Sequence, residues 1–221
     1  MSRIAENIDQ IKKQLPKSTQ LIVVSKYREI QEIQEAYNSG QRIFAENRVQ
    51  ALLERREQLP TDIEWHLIGH LQTNKVKYIA PFIEMIHSVD SIKLLKEINK
   101  QAAANNRIIN VLIQLHVAQE DSKFGIPPAH LPQFWSEFNA EKASLLNIQI
   151  CGLMGMASLT DDTVQISNEF SLIQKLFIDA KENIFNDSPA FCELSIGMSS
   201  DYHIAIEHGS TFVRVGTAVF V

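Results

Sequence analysis

Cysteine is scarce in this chain of 221 residues, and long apolar runs are absent. The two cysteines, Cys151 and Cys192, stand in no C-x-x-C spacing, so neither a disulfide framework nor a thiolate metal site is predicted. No apolar run reaches the ~18 residues that a membrane helix needs. The polar residues 2–7 at the start of the chain do not resemble a signal peptide. These absences predict a soluble, cytoplasmic protein that is not attached to a membrane.

Basic residues are fewer than acidic residues. Lysine and arginine total 21 against 26 aspartates and glutamates, which gives a formal net charge of −5 at pH 7. Proteins that bind nucleic acids concentrate lysine and arginine to neutralise phosphates, and no such cluster occurs here. We therefore expect no nucleic-acid partner. The hydrophobic content of 45% is sufficient for the core of one ordinary domain or one α/β barrel.

The strongest positive signal is the apolar run Leu21-Ile22-Val23-Val24, which Ser25 and Lys26 follow. A short run of branched apolar residues is typical of a strand that is buried on both faces of a parallel sheet. Lys26 then lies at the carboxyl end of the strand, where α/β folds place their chemistry. For a strand considered alone, a lysine that extends into solvent is the simpler interpretation. The later segments favour a functional lysine.

Apolar segments alternate with helix-type segments along the whole chain. They predict strands over 21–25, 42–45, 64–68, 83–87, 108–116, 148–151, 190–194 and 211–215. Eight such units predict an α/β fold, a (β/α)8 TIM barrel, with an extra N-terminal helix over 2–15. An open doubly wound sheet is the competing hypothesis, but the turn after the first strand lacks the glycine-rich pattern of such sheets. We expect one domain over residues 1–221.

Glycines follow the predicted strands at six places, namely Gly69, Gly125, Gly152, Gly155, Gly197 and Gly216. One glycine can simply supply a positive φ in a turn, but six at one rim suggest a backbone that approaches a ligand. The segment 195–199 leads into a predicted helix over 200–208, and Gly216-Thr217 follows the eighth strand. Barrels often bind phosphate in these two loops. Arg214 lies inside the apolar eighth strand and must pair or meet a ligand, because an isolated buried charge is very costly.

Histidine gives weaker signals. His66 and His70 are four residues apart, but a strand and a turn separate them, so the helical spacing of a metal site is missing. His87 and His116 end predicted strands and could line a pocket. No metal site is predicted.

Several short runs between positions 23 and 217 match a known family in the expected order. They are Val23-Val24-Ser25-Lys26, Phe44-Ala45-Glu46-Asn47, the run from Trp65 to Lys75, His87-Ser88-Val89-Asp90, Ser122-Lys123-Phe124-Gly125, Gly152-Leu153-Met154, the run from Leu194 to Asp201, and Val213-Arg214-Val215-Gly216-Thr217. On these motifs the chain resembles the pyridoxal phosphate homeostasis proteins, also called the YggS/PROSC family. Their barrel is similar to the N-terminal domain of alanine racemase.

The resemblance implies a site for pyridoxal 5'-phosphate. Lys26 would form a covalent aldimine with this cofactor, and Arg214 would face the pyridine nitrogen. Two further groups of residues are implied, Ser195, Ser199, Gly216 and Thr217 for the phosphate, and Asn47 and His66 for the lining of the pocket.

The chain departs from the family pattern at three places. Tyr27-Arg28 stands where Thr-Lys-Pro is common, Ala45 replaces a usual glycine, and Phe220-Val221 replaces Phe-Gly. None of these departures removes an implied cofactor contact, although Ala45 could reshape the rim of the site.

The chemistry of the implied site limits its activity. Pyridoxal phosphate stabilises carbanions best when an acidic partner keeps its pyridine nitrogen protonated, and an always-charged arginine does the reverse. The covalent link needs a lysine amine that can deprotonate, which burial of Lys26 would favour. Alanine racemase also uses a tyrosine from a C-terminal β domain, whereas this chain ends a few residues after the eighth strand.

We therefore predict a non-catalytic protein that binds pyridoxal phosphate and carries or buffers it in intracellular homeostasis. Pyridoxal-phosphate-dependent apoenzymes are its expected acceptors, and we expect a monomer. Two alternatives stay open. One is a racemase-like pyridoxal phosphate enzyme that a partner or dimerisation completes, and the other is a lysine Schiff-base aldolase of the same fold. A coloured purified protein would argue against the aldolase, and an amino-acid turnover screen would separate the other two.

Overall fold

The strands pair in the order in which they occur along the chain. In the computed structural model, which describes residues 2–119 and 124–221, eight parallel strands pair in sequence and the last closes on the first. They are β1 (Gln20–Val24), β2 (Ile43–Glu46), β3 (Glu64–Leu67), β4 (Met85–Val89), β5 (Ile109–Gln114), β6 (Ile148–Met154), β7 (Glu193–Ser195) and β8 (Phe212–Val215). The predicted (β/α)8 barrel is confirmed.

Helices alternate with the strands and cover the outside of the barrel. They are α1 (Arg3–Gln14), α2 (Ile30–Asn38), α3 (Val49–Gln58), α4 (Val76–Ile79), α5 (Ile92–Ala104), α6 (Leu131–Glu141), α7 (Thr163–Asn183), α8 (Tyr202–Glu207) and α9 (Thr217–Phe220). The predicted N-terminal helix is confirmed as α1, whereas the sequence pattern does not predict the single turn of α9. Within the described ranges, no helix is both long and apolar enough to cross a bilayer.

The alternation of side chains along each strand divides the core into two parts. Leu21 and Val23 on β1 belong to the large cluster that the helices cover, whereas Ile22 and Val24 belong to a smaller cluster inside the barrel. Successive side chains of a strand point to opposite faces. A strand that is buried on both faces is therefore apolar without interruption, which explains the run at 21–24.

Gly152 allows β6 and β7 to approach each other. The predicted sixth strand ends at Cys151, but β6 continues to Met154 and contains Gly152, so the prediction that this glycine follows the strand is wrong. A Cβ atom on Gly152 would lie 1.7 Å from the carbonyl oxygen of Glu193 on β7. Any side chain here would collide with the neighbouring backbone, so β6 depends on a glycine that its apolar pattern does not explain.

Two strands lie later in the chain than their apolar residues indicate. β4 begins at Met85, two residues later than predicted, because Met85 pairs with His66 on β3. β7 likewise ends at Ser195, one residue later than predicted. In consequence His87 lies in the middle of β4 and Ser195 at the end of β7, and both side chains are fully buried.

The N-terminal helix holds the last helix in place. The side-chain amide of Asn7 on α1 donates hydrogen bonds of 3.0 Å to the carbonyl oxygens of Val219 and Val221. The apolar face of α1 is buried through Ile8 and its neighbours. Because α9 follows β8 directly, α1 supports the loop after β8, one of the two loops predicted to bind phosphate.

Candidate functional site

Lys26 stands just beyond the carboxyl end of β1, and its side chain is exposed to solvent. The expected burial of this amine is therefore wrong. The next residue, Tyr27, has a φ of 63°, in the left-handed region that bulky residues rarely adopt. The side chain of Tyr27 is 80% exposed, so packing does not explain the conformation. Backbone strain of this kind is concentrated at functional sites.

A buried ion pair fixes the start of the Lys26 loop. The Ser25 hydroxyl donates a 2.5 Å hydrogen bond to Oε1 of Glu46 at the end of β2, and Arg55 on α3 contacts the same oxygen at 3.0 Å. Burial raises the pKa of the Glu46 carboxyl, and the Ser25 hydrogen bond and the Arg55 charge oppose that rise. The sequence interpretation assigns Glu46 no role. Glu46 directly follows the predicted strand 42–45. This position could have indicated a paired carboxylate, because a buried carboxylate needs a partner.

Arg214 is buried in β8 and its charge is satisfied inside the barrel. The guanidinium Nη1 donates to the carbonyl oxygen and to the hydroxyl of Ser195, both at 2.7 Å, and Nη2 donates to the carbonyl oxygen of Gly155 at 2.9 Å. Burial lowers the pKa of Arg214 to about 10, and the Asp201 carboxylate opposes this shift. The group therefore stays protonated at neutral pH.

His66 and His87 continue this set of hydrogen bonds. Nδ1 of His87 lies 3.0 Å from the Ser195 hydroxyl oxygen, and Nε2 of His87 lies 2.9 Å from Nδ1 of His66. Both rings also contact the ring of Phe212 on β8. The Ser195 hydroxyl is thus engaged by Arg214 and His87.

Acid should destabilise the fold through these two histidines. Burial lowers the pKa of His66 from 6.5 to about 3, and burial, helped by the charges of His66 and Arg214, also lowers that of His87. The unfolded chain protonates both rings below about pH 6.5, while the folded protein keeps them neutral. Stability is therefore complete above about pH 6.5 and falls as the pH drops towards 3. At pH 5 the expected loss is roughly 2 kcal/mol for His66, and His87 adds to it in the same direction.

Urea unfolding at pH 7 and pH 5 measures this loss. A His66→Gln variant should lose clearly less stability between the two pH values than the wild-type protein does. The matched control is His203→Gln, because His203 is exposed. A wild-type pH dependence in the His66→Gln variant would contradict the assignment.

The loops after β7 and β8 meet at Ser199. Its hydroxyl oxygen accepts hydrogen bonds from the backbone N–H groups of Gly216 at 3.2 Å and Ala218 at 3.4 Å. The structure therefore brings together the two segments predicted to hold a phosphate. The helix predicted over 200–208 begins only at Tyr202, so Ser199 faces the amides at the start of α9 instead. A hydroxyl and backbone N–H groups that converge in this way can bind an anion.

The loop after β8 also lies against the end of β1. A Cβ atom on Gly216 would lie 3.2 Å from the carbonyl oxygen of Val24, so the absence of a side chain permits this close approach. The two strands pair in parallel, with Val23 opposite Val215. Lys26 therefore stands at the same end of the same strand pair as Gly216 and Thr217.

Asn47 follows β2 and contacts the loop after β3. A Cβ atom on Gly69 would lie 2.1 Å from the Asn47 carbonyl oxygen, so a glycine is needed there. Asparagine often caps helices, but α3 has Arg48 at its cap position. The Oδ1 atom of Asn47 is buried, and within residues 2–119 and 124–221 it has no hydrogen-bond partner. An acceptor in this state suits a ligand that donates a hydrogen bond.

A groove of about 490 Å³ opens beside Asn47, and its lining includes Arg48, His70 and Lys75. The His70 ring stacks on Phe124 with a centroid distance of 4.0 Å. Ser122 and Lys123, which belong to one of the family motifs, lie outside the described residues. In the part of the chain that the structure covers, no three His, Cys, Asp or Glu side chains are grouped as metal ligands.

Comparison with known proteins identifies the family. The family model described as alanine racemase, N-terminal domain, matches residues 1–221. A protein of Aquifex aeolicus (strain VF5) named pyridoxal phosphate homeostasis protein is 40% identical over 189 residues, which cover 85% of this chain and 80% of that protein.

Solved structures of PipY from Synechococcus elongatus PCC7942 are similar to the whole chain. The structure without pyridoxal phosphate is 35% identical with a TM-score of 0.89, and the structure with it bound is 34% identical with a TM-score of 0.85. Each comparison covers 99% of this chain and 100% of PipY. The chain therefore belongs to the pyridoxal phosphate homeostasis protein family, whose barrel is that of the alanine racemase N-terminal domain.

Proposed function

We propose that this protein binds pyridoxal 5'-phosphate at the mouth of the barrel and carries or buffers the cofactor in the cell, with little or no turnover. The observation that carries the proposal is the contact between the loop after β8 and the end of β1. This contact supports the proposal, because the loop of Gly216, which we propose to bind the phosphate together with Ser199, reaches the strand that Lys26 follows. The name of the Aquifex aeolicus relative and the PipY structure with pyridoxal phosphate bound support it.

The residues at the mouth fit the functional groups of this cofactor. Lys26 would hold the aldehyde carbon covalently as an aldimine, and the buried charge of Arg214 would face the pyridine nitrogen. The phosphate dianion would be held by the Ser199 hydroxyl and the backbone of Gly216 and Thr217. Asn47 and His66 would line the pocket around the pyridine ring of the cofactor. Ser195 is assigned to the support of Arg214, because its hydroxyl is already engaged there.

Arg214 is the reason for the low turnover. When bound, pyridoxal phosphate supplies an electron sink that is strongest with a protonated pyridine nitrogen. The pKa of Arg214 is about 10, so the guanidinium is positively charged at neutral pH and opposes a second positive charge on that nitrogen. The site therefore retains the cofactor without activating it strongly.

Titration of the purified protein with pyridoxal phosphate tests this proposal. We expect binding of one equivalent with a near-visible absorbance band, in a protein that sediments as a monomer. We also expect the loaded protein to restore activity to a pyridoxal-phosphate-dependent apoenzyme, the proposed class of acceptor. Absence of binding at micromolar concentrations would overturn the proposed function. Binding without transfer of the cofactor to the apoenzyme would show that the protein buffers pyridoxal phosphate and does not deliver it.

The loaded protein should not racemise alanine or other common amino acids above background. The charge of Arg214 weakens the electron sink that proton abstraction needs, so turnover is expected to stay below detection in chiral chromatography. A Lys26→Ala variant serves as the matched control. Turnover that is present in the wild-type protein and lost in this control would favour the racemase-like enzyme over the carrier.

A further inference from the structure

Four buried polar side chains form a continuous series of hydrogen bonds inside the barrel. Arg214 on β8 bonds the Ser195 hydroxyl at 2.7 Å, and that oxygen lies 3.0 Å from Nδ1 of His87 on β4. Nε2 of His87 then lies 2.9 Å from Nδ1 of His66 on β3. Each of these side chains is at most 3% exposed. Water hardly competes for the bonds, so each polar atom depends on its neighbour in the series.

Arg214 sets the direction of the whole series. A guanidinium only donates hydrogen bonds, so the Ser195 oxygen accepts from Nη1. Among the described residues, Nδ1 of His87 is the other side-chain atom that this hydroxyl contacts, so the hydroxyl hydrogen is directed there. That nitrogen is then unprotonated, and the neutral ring carries its hydrogen on Nε2 and donates it to Nδ1 of His66. His66 in turn carries its hydrogen on Nε2. Burial lowers the pKa of both rings and keeps them neutral.

We propose that His87 and His66 are positioning residues that hold Arg214 in one orientation for the pyridine nitrogen of the cofactor. This role rests on the proposed function. The acceptor on His87 fixes the Ser195 hydroxyl, which holds Nη1 of Arg214 together with the Ser195 carbonyl oxygen, and the Gly155 carbonyl oxygen holds Nη2. The Nε–H group of Arg214 would then face the cofactor. His66 acts one step behind, because its Nδ1 fixes the tautomer of His87.

Two substitutions at His87 separate this role from simple packing. The Oδ1 atom of asparagine can take the place of Nδ1, so His87→Asn keeps the acceptor for Ser195 and loses the bond to His66. The amide of glutamine reaches the place of Nε2, so His87→Gln keeps a partner for His66 and loses the acceptor for Ser195. Both variants replace a buried ring by an amide, so loss of packing affects both.

The cofactor itself reports the outcome when its pyridine nitrogen is labelled with 15N. We expect His87→Gln to weaken pyridoxal phosphate binding about tenfold and to shift the pyridine 15N resonance, because Arg214 is less well held. His87→Asn should stay within about twofold of the wild-type affinity and keep the wild-type resonance. Equal effects of the two substitutions, or no effect of either, would overturn the positioning role.

The histidine tautomers can be measured without any substitution. Two-dimensional 1H–15N NMR of the imidazole groups in the wild-type protein, without cofactor, should show both rings neutral at pH 7 with hydrogen on Nε2. A hydrogen on Nδ1 of His87 or His66 would break the series and overturn the proposal. If the wild-type protein binds pyridoxal phosphate and these tests fail, only the positioning role falls. If it does not bind, the proposed function falls and the positioning role falls with it.

Discussion

Replacement of Lys26 by alanine should remove the near-visible band of bound pyridoxal phosphate and weaken its binding about a thousandfold, which corresponds to about 4 kcal/mol. Lys26 supplies the covalent link of the proposed site. The contacts of Ser199 and Arg214 remain in the variant, so residual non-covalent binding should persist at high cofactor concentration. Absorbance titration measures the band, and equilibrium dialysis measures the affinity.

Lys75 provides the matched control. It is an exposed lysine that lines the groove beside Asn47, and Lys75→Ala should leave both the band and the affinity close to wild type. Borohydride reduction of the loaded wild-type protein should fix the cofactor to the peptide that contains Lys26, as identified by mass spectrometry. A label on another lysine, or an unchanged band in Lys26→Ala, would contradict the assignment.

The exposure of Lys26 suits reversible loading better than the burial that its sequence suggests. An amine at the open end of β1 can be reached by free cofactor and by the incoming groups of an acceptor. Glu46 contacts Ser25 and Arg55, and these contacts fix the start of the Lys26 loop. The structure therefore combines a fixed strand end with an exposed lysine side chain.

Local patterns explain why the barrel could be predicted from the sequence. The run at 21–24 is apolar because both faces of β1 are covered, and this requirement is visible in four consecutive residues. The limits of β4 are not visible in the same way, because pairing of Met85 with His66 sets them. The sequence likewise predicts that Gly152 lies in a turn. The structure shows that it is needed inside β6, because the carbonyl oxygen of Glu193 lies against it.

Long-range hydrogen bonds explain what the sequence could not indicate at the site. His87 and Ser195 are 108 positions apart in the chain, so nothing local marks them as partners. The family resemblance implies a phosphate contact for Ser195, and in the structure its side chain belongs to the buried series of hydrogen bonds that ends at Arg214. Ser199 and Gly216, which also bond, are 17 positions apart in the chain. There the positions of two loops in a closed barrel were sufficient to predict the encounter.

Substitution of Ser199 by alanine should weaken pyridoxal phosphate binding by roughly ten- to a hundredfold. The Ser199 hydroxyl accepts hydrogen bonds from the N–H groups of Gly216 and Ala218, and in the proposed site these three donors would turn to the phosphate oxygens. A hydrogen bond to a charged group contributes about 1.5–3 kcal/mol, which sets the size of the expected loss. The covalent link through Lys26 is unaffected, so the near-visible band should still form at high cofactor concentration.

The adjacent Ser200 and a phosphate-free ligand make this test specific. Ser200 is exposed, so Ser200→Ala should bind pyridoxal phosphate like the wild-type protein. Pyridoxal has the same aldehyde and ring without the phosphate, so Ser199→Ala should lose little affinity for it. Parallel equilibrium titrations of both variants with both ligands measure the difference. Loss of a phosphate contact can lower the affinity only for the ligand that carries the phosphate. Equal losses of affinity for the two ligands would therefore show that Ser199 supports the barrel mouth in general.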